Sequence, residues 1–145
     1  MNVFLISYYE RLKEWHKLKE QLSNADIQTI CVEVDKFWQQ CPLVNHYLHP
    51  ADAADWPTPW ELLNDNTYCL LARGLGIFYT LSLLGIKNID IIDCLDYNNE
   101  SSCLVVVENY ILNWHPGTVL NTSLTEFTNI VYIDVEPIVK KIGKE

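Results

Sequence analysis

Residues 67–85 read TYCLLARGLGIFYTLSLLG. Apolar side chains fall on nearly every face of a helix drawn through them, and a helix that is apolar all round has to be buried. Thr67 is placed to cap its start, Cys69 falls in its first turn, and Gly85 stands where such a helix stops. Gly74 and Gly76 each cost about 1 kcal/mol of helix propensity against alanine. Their presence implies a neighbouring element that comes too close for a side chain. A chain that holds this helix has to build a core around it, and the rest of the sequence reads as that packing.

Ahead of it, residues 3–6 form a short strand or a first helical turn. Tyr8, Leu12, Trp15, Leu18 and Leu22 then recur every three or four residues among charged ones, which marks an amphipathic helix. Ser23 and Asn24 end it and can cap a second helix over about 25–40. That helix shows Ile27, Ile30, Cys31, Val34, Phe37 and Trp38 on one face until Pro42 stops it. The two are expected to form an antiparallel pair. Residues 42–66 are rich in proline and aspartate and lack periodicity. They read as a segment wrapped over the core, pinned by Tyr47, Leu48, Trp56 and Trp60, with Thr58 capping a short helix that starts at Pro59.

After the central helix the period changes. Residues 86–95, 103–107 and 110–114 are strand-forming, with a turn at DYNNES (96–101) and a tight turn at Glu108 and Asn109 that makes the last two a hairpin. Pro116 and Gly117 turn the chain again, residues 130–134 form another strand, and 136–144 add a helical turn or two. Helices followed by an antiparallel sheet define an α+β fold. Residues 1–145 read as one domain: a helical pair (1–41), a wrapping loop (42–66) and a helix-plus-sheet core (67–135).

Charge narrows the function. Nineteen acidic residues against ten basic ones give a net charge of -9, which argues against a basic surface for nucleic acid or an anionic membrane. No stretch is long enough for a membrane span or a signal-peptide core. The five cysteines are odd in number and contain no CxxC, as expected of free, mostly buried thiols in a reducing compartment. Cys41, His46, His49 and Asp52 have a loose resemblance to a zinc-ligand set, but without the tight repeated spacing of structural zinc sites. No metal and no cofactor is expected.

Chemistry centres on Cys69. A cysteine at a helix N-terminus is a common route to a reactive thiolate, and catalysis adds a histidine as base and an Asp or Asn to orient it. Cys69 on a buried helix ended by Gly85, followed by CLVVV, a turn and YILNW, resembles the core of the transglutaminase-like and papain-like cysteine enzymes. The resemblance implies that Cys69 matches the nucleophile and Asn113 the orienting residue. The histidine position falls at Ser101, Ser102 and Cys103, where there is no histidine. His115 is the nearest substitute, since two residues along a pleat from Asn113 it shares a face with it.

The run HPADAADWPTPWELLNDNTYC, preceded by two helices ending in Phe37, Trp38 and Pro42, also resembles small proteins of large tailed bacteriophages. The two resemblances together imply a phage protein with a degenerate transglutaminase-like fold. It would bind a protein or peptide through Tyr47, Trp56 and Trp60, in virion assembly or host takeover, in the host bacterial cytoplasm or the virion. The alternative is an active cysteine hydrolase or acyltransferase using Cys69, His115 and Asn113.

Overall fold

Each early helix starts at a residue whose side chain holds a backbone N–H that would otherwise lack a partner. The computed structural model describes residues 2–43, 56–64, 68–115, 117–140 and 142. Asn2 accepts from Phe4 N at 2.9 Å and opens a 3-10 turn, Val3–Leu5. Ser7 caps α1, Tyr8–Leu22. Asp26, rather than Ser23 or Asn24, caps α2, Ile27–Trp38, accepting from Thr29 N at 3.0 Å. Ahead of α3, Pro59–Asn64, Thr58 and Glu61 exchange bonds: Glu61 N donates to Thr58 Oγ1 and Thr58 N to Glu61 Oε1. That reciprocal arrangement is a capping box.

The central helix, α4, is Leu70–Leu83, and its N-cap is Cys69. It therefore begins later than an N-cap at Thr67 would give, and Thr67 itself lies outside the described residues. The cause is Tyr68. Its N–H donates to Pro42 O at 3.1 Å, its backbone bridges Leu43, and its hydroxyl donates to Leu62 O. Those partners hold the chain extended up to Cys69. Gly85 ends the helix in the left-handed region at φ 87.

Five antiparallel strands follow: β1 Ile89–Leu95, β2 Ser101–Val107, β3 Tyr110–His115, β4 Thr118–Asn121 and β5 Thr128–Ile133, in the order β4-β3-β2-β1-β5. A short α5, Glu136–Val139, closes the described chain. The fold is α+β. α4 lies on one face of the sheet, against β1, β2 and β3. On that face Ile91, Val105 and Leu112 join the helices in the main core, while Ile92, Cys94, Leu104, Ile111 and Phe127 form a second core on the other face. Since β4 and β5 are at opposite edges, the connection between them has to cross the sheet, and its Leu124 and Phe127 cover the second core.

The two N-terminal helices touch each other less than α2 touches α4. Trp38 of α2 and Trp15 of α1 meet at one hydroxyl on α4. Both indole N–H groups donate to Thr80 Oγ1, at 3.0 and 2.9 Å, and that hydroxyl donates to Gly76 O at 2.7 Å. One donor and two lone pairs are all a hydroxyl has, so Thr80 is saturated. A Cβ at Gly76 would lie 2.5 Å from Trp38 ring carbons, which is the close approach the glycine permits. Arg11 is buried at the far end of the helical layer. Its guanidinium donates to the carbonyls of Val3, Phe4, Ile6 and Leu63 and lies over the Phe4 ring.

Candidate functional site

Cys69 sits where the first turn of α4 meets β2 and β3. Its backbone is extended (φ -107, ψ 177), its carbonyl accepts the first helical bond from Arg73 N at 3.0 Å, and its side chain makes no capping bond. The thiol is buried, 6% exposed, beside the free N–H groups of the first turn. All five cysteines are buried and free.

Of Ser101–Cys103, the stretch that the resemblance gives to a histidine, Cys103 is the buried residue. It faces α4 beneath Gly74, with its sulfur 3.7 Å from where a Cβ on that glycine would be. Across the sheet it pairs with Asp93. Burial, then the Asp93 carboxylate, push the Cys103 thiol well above its ordinary range. Burial pushes Cys41 up to about 12. Both therefore stay protonated at neutral pH and are not bases.

Asn113 reaches the first turn of α4. Its Nδ2 donates to Leu70 O at 2.9 Å and to Cys103 O at 2.6 Å, and its Oδ1 accepts from Arg73 Nε. Both amide donors are thus spent on backbone. Its own N–H donates to Asp35 Oδ1 at 2.8 Å, which ties β3 to α2. Asn113 therefore joins α2, α4, β2 and β3 rather than orienting an imidazole. Its backbone is left-handed, φ 67, a conformation asparagine adopts more readily than most residues.

That conformation also displaces His115. A regular pleat would put residues 113 and 115 on one face. The left-handed Asn113 and a register shift between Ile111 and His115 in the β3–β4 pairing break the alternation. The His115 ring is exposed and lies against Trp114, centroids 4.3 Å apart, beside Asp96 on the side of the second core. No hydrogen bond joins it to Cys69. The expectation of a displaced base sharing Asn113's face is corrected accordingly.

Arg73 and Asp35 belong to this site and were not singled out from the sequence. Both are buried, at 4% and 1% exposed. Burial holds the Asp35 carboxyl above its ordinary range, against the opposing pull of Asn113 N–H, Gln39 and Arg73. Burial likewise lowers Arg73, with Cys41, Asp35 and Cys103 acting the other way. The signal was available: an arginine inside an otherwise apolar helix, and an aspartate next to Val34, are polar groups that need buried partners.

Among the proposed binding aromatics, Trp56 is 2% exposed and belongs to the core, so it offers no surface to a partner. Trp60 is half-buried against that core. Tyr47 lies outside the described residues, as do His46, His49 and Asp52 of the considered zinc set. Among the described residues no group of three or more His, Cys, Asp or Glu is arranged to hold a metal ion. No described helix is long and apolar enough to cross a membrane. Compared with known protein families and with curated proteins, the chain matches none.

Proposed function

We propose that this chain is a binding protein built on a disarmed thiol-enzyme layout, and that it takes a protein or peptide partner. The observation that carries the reading is the filled triad. The stretch that the resemblance gives to the base, Ser101–Cys103, holds no histidine, burial keeps its Cys103 thiol well above the ordinary range, and both amide donors of Asn113 are committed to backbone carbonyls. The order α4, β2, β3, with α4 packed on both strands, supports the layout that the transglutaminase-like and papain-like resemblance implies. The edge of β5 supports a protein or peptide partner. Among the described residues β5 pairs with β1 alone, and Val131 and Tyr132 are 60% and 62% exposed on it. An open edge with apolar side chains accepts a further strand. The role that goes with the phage resemblance is virion assembly or host takeover, in the host cytoplasm or the particle.

The test is chemical. Native protein is treated with iodoacetamide at mildly acidic pH and the label mapped by mass spectrometry. Cys69 should react no faster than the other buried thiols. Rapid, selective alkylation of Cys69 would overturn the binding reading. It would favour a thiol hydrolase or acyltransferase instead, for which the uncapped N-terminal position of Cys69 is the supporting observation.

A further inference from the structure

The other face of the sheet carries a cavity with no part in the Cys69 site. Its volume is about 330 Å³, and it opens between the β4–β5 connection and the ends of β1 and β3. Three rings line it: Tyr97, Trp114 and Phe127. Trp114 stands at the centre, with Tyr97 at 5.8 Å and 67° and Phe127 at 5.9 Å and 77°. Trp114 is thus steeply inclined to both other rings.

The walls are fixed by local structure. Asp96 Oδ1 accepts from Asn98 N at 2.8 Å and Glu100 N at 3.0 Å, which locks the turn that presents Tyr97. Yet Tyr97 is 57% exposed, a large side chain left in water. Phe127 is anchored in the second core, and its N–H bonds Leu124 O at 3.0 Å.

Chemistry selects the ligand. The indole Nε1 of Trp114 is buried beside Asp96 without an aligned hydrogen bond, so the cavity meets its π-surface and not its donor. Among the described residues Glu126 is the charged one in the lining, with no Lys or Arg beside it. Aromatic faces with one carboxylate suit a cation whose charge is spread over methyl groups, because ring quadrupoles attract it without requiring hydrogen bonds. Thr122, Ser123 and Thr125 also line the cavity; their hydroxyls are neutral and leave Glu126 as the charge that a cation would meet. We propose that this cavity binds a methylated ammonium group, with Tyr97, Trp114 and Phe127 as the cage and Glu126 as the counter-charge. The proposal does not depend on the reading of Cys69.

The experiment titrates the full chain, labelled for NMR, with choline and in parallel with dimethylbutanol, its uncharged carbon isostere. Choline should give saturable shifts at the Trp114 indole and at Tyr97 and Phe127, and should bind roughly tenfold more tightly than the isostere. Tyr97→Ala and Glu126→Gln alter exposed side chains and should leave the melting temperature unchanged. Each should weaken choline by several-fold; Glu126→Gln should leave the isostere unaffected, and Tyr97→Ala should weaken the isostere less than choline. A trimethyllysine peptide and phosphatidylcholine vesicles, run alongside, separate a protein source of the same group from a lipid one, and preference for either supports the site. Equal affinity for choline and the isostere would reduce the cavity to an unselective apolar hole. No saturable shift with choline, peptide or vesicles would also overturn the proposal.

Discussion

Arg11 and Arg73 are both buried, both sit on helices, and their surroundings differ completely. Arg11 meets the carbonyls of Val3, Phe4, Ile6 and Leu63, so its guanidinium closes the 3-10 turn and the end of α3 at once. Arg73 makes one side-chain bond among the described residues, to Asn113 Oδ1, and otherwise stands near Asp35, Cys41 and Cys103. Among the described residues, the first holds chain segments together through backbone carbonyl oxygens. The second sits in a cluster of ionisable groups at the start of α4, where charge is expensive and its cost is only partly offset. A buried charge is thus a fastener in one place and, in the other, a member of a buried cluster of ionisable groups.

Exchanging each arginine for methionine is the sharpest way to break this contrast. Arg11→Met leaves several buried carbonyls without a donor and should lower stability by about 3–5 kcal/mol, read from the urea midpoint. Arg73→Met removes one bond along with the cost of burying the cation, and should lose only about 1–2 kcal/mol. Equal losses would show that Arg73 is as structural as Arg11.

Asn113 gives the next largest effect. Asn113→Ala should cost about 2–3 kcal/mol, from lost hydrogen bonds together with strain at a left-handed backbone. Asn113→Gly loses the same bonds without the strain, and should recover about 1 kcal/mol of that in the same urea measurement. If the two variants were equally stable, the positive φ would carry no weight at this bulge.

The smallest effect separates charge from geometry at Asp35. Burial raises its carboxyl pKa in the folded state. Its contribution to stability is therefore full below the unfolded pKa and is lost as pH rises through the folded value. Asp35→Asn keeps an acceptor for Asn113 N–H and removes the charge. The variant should gain on the parent protein as pH rises from the acid range to neutrality, and lose that advantage in acid. Unfolding midpoints across pH would check it, and a gap that does not change with pH would mean that the Asp35 pKa is the same folded and unfolded.

Much of this architecture is legible from local signals. The periodicity starting at Tyr8, the Thr58–Pro59 helix start, the Glu108–Asn109 hairpin turn and the stop at Gly85 are each written in adjacent residues. The close approach implied by Gly76 is also present, with Trp38 supplying it. What was missed depends on distant partners. β4 is only four residues, TVLN, with no strong alternation, and pairing with β3 creates it. The start of α4 shifted because Tyr68 is bound to Pro42, a contact between separate segments. At the candidate site, Cys69 and Asn113 do converge, since Asn113 bonds the carbonyl of Leu70. The positive φ that turns His115 to the other side left only a faint trace, an asparagine inside an apolar strand.

The edge position of β5 has a consequence for assembly in time. β1 meets β2 across a short turn but meets β5 only after the chain has run through β2, β3 and β4. Closing the longer loop carries the larger entropic cost. The three-strand meander on α4 therefore can form first, and the outermost strand zips on late. Until it does, one flank of β1 stays open, and a newly made chain is most vulnerable there to pairing with a neighbour.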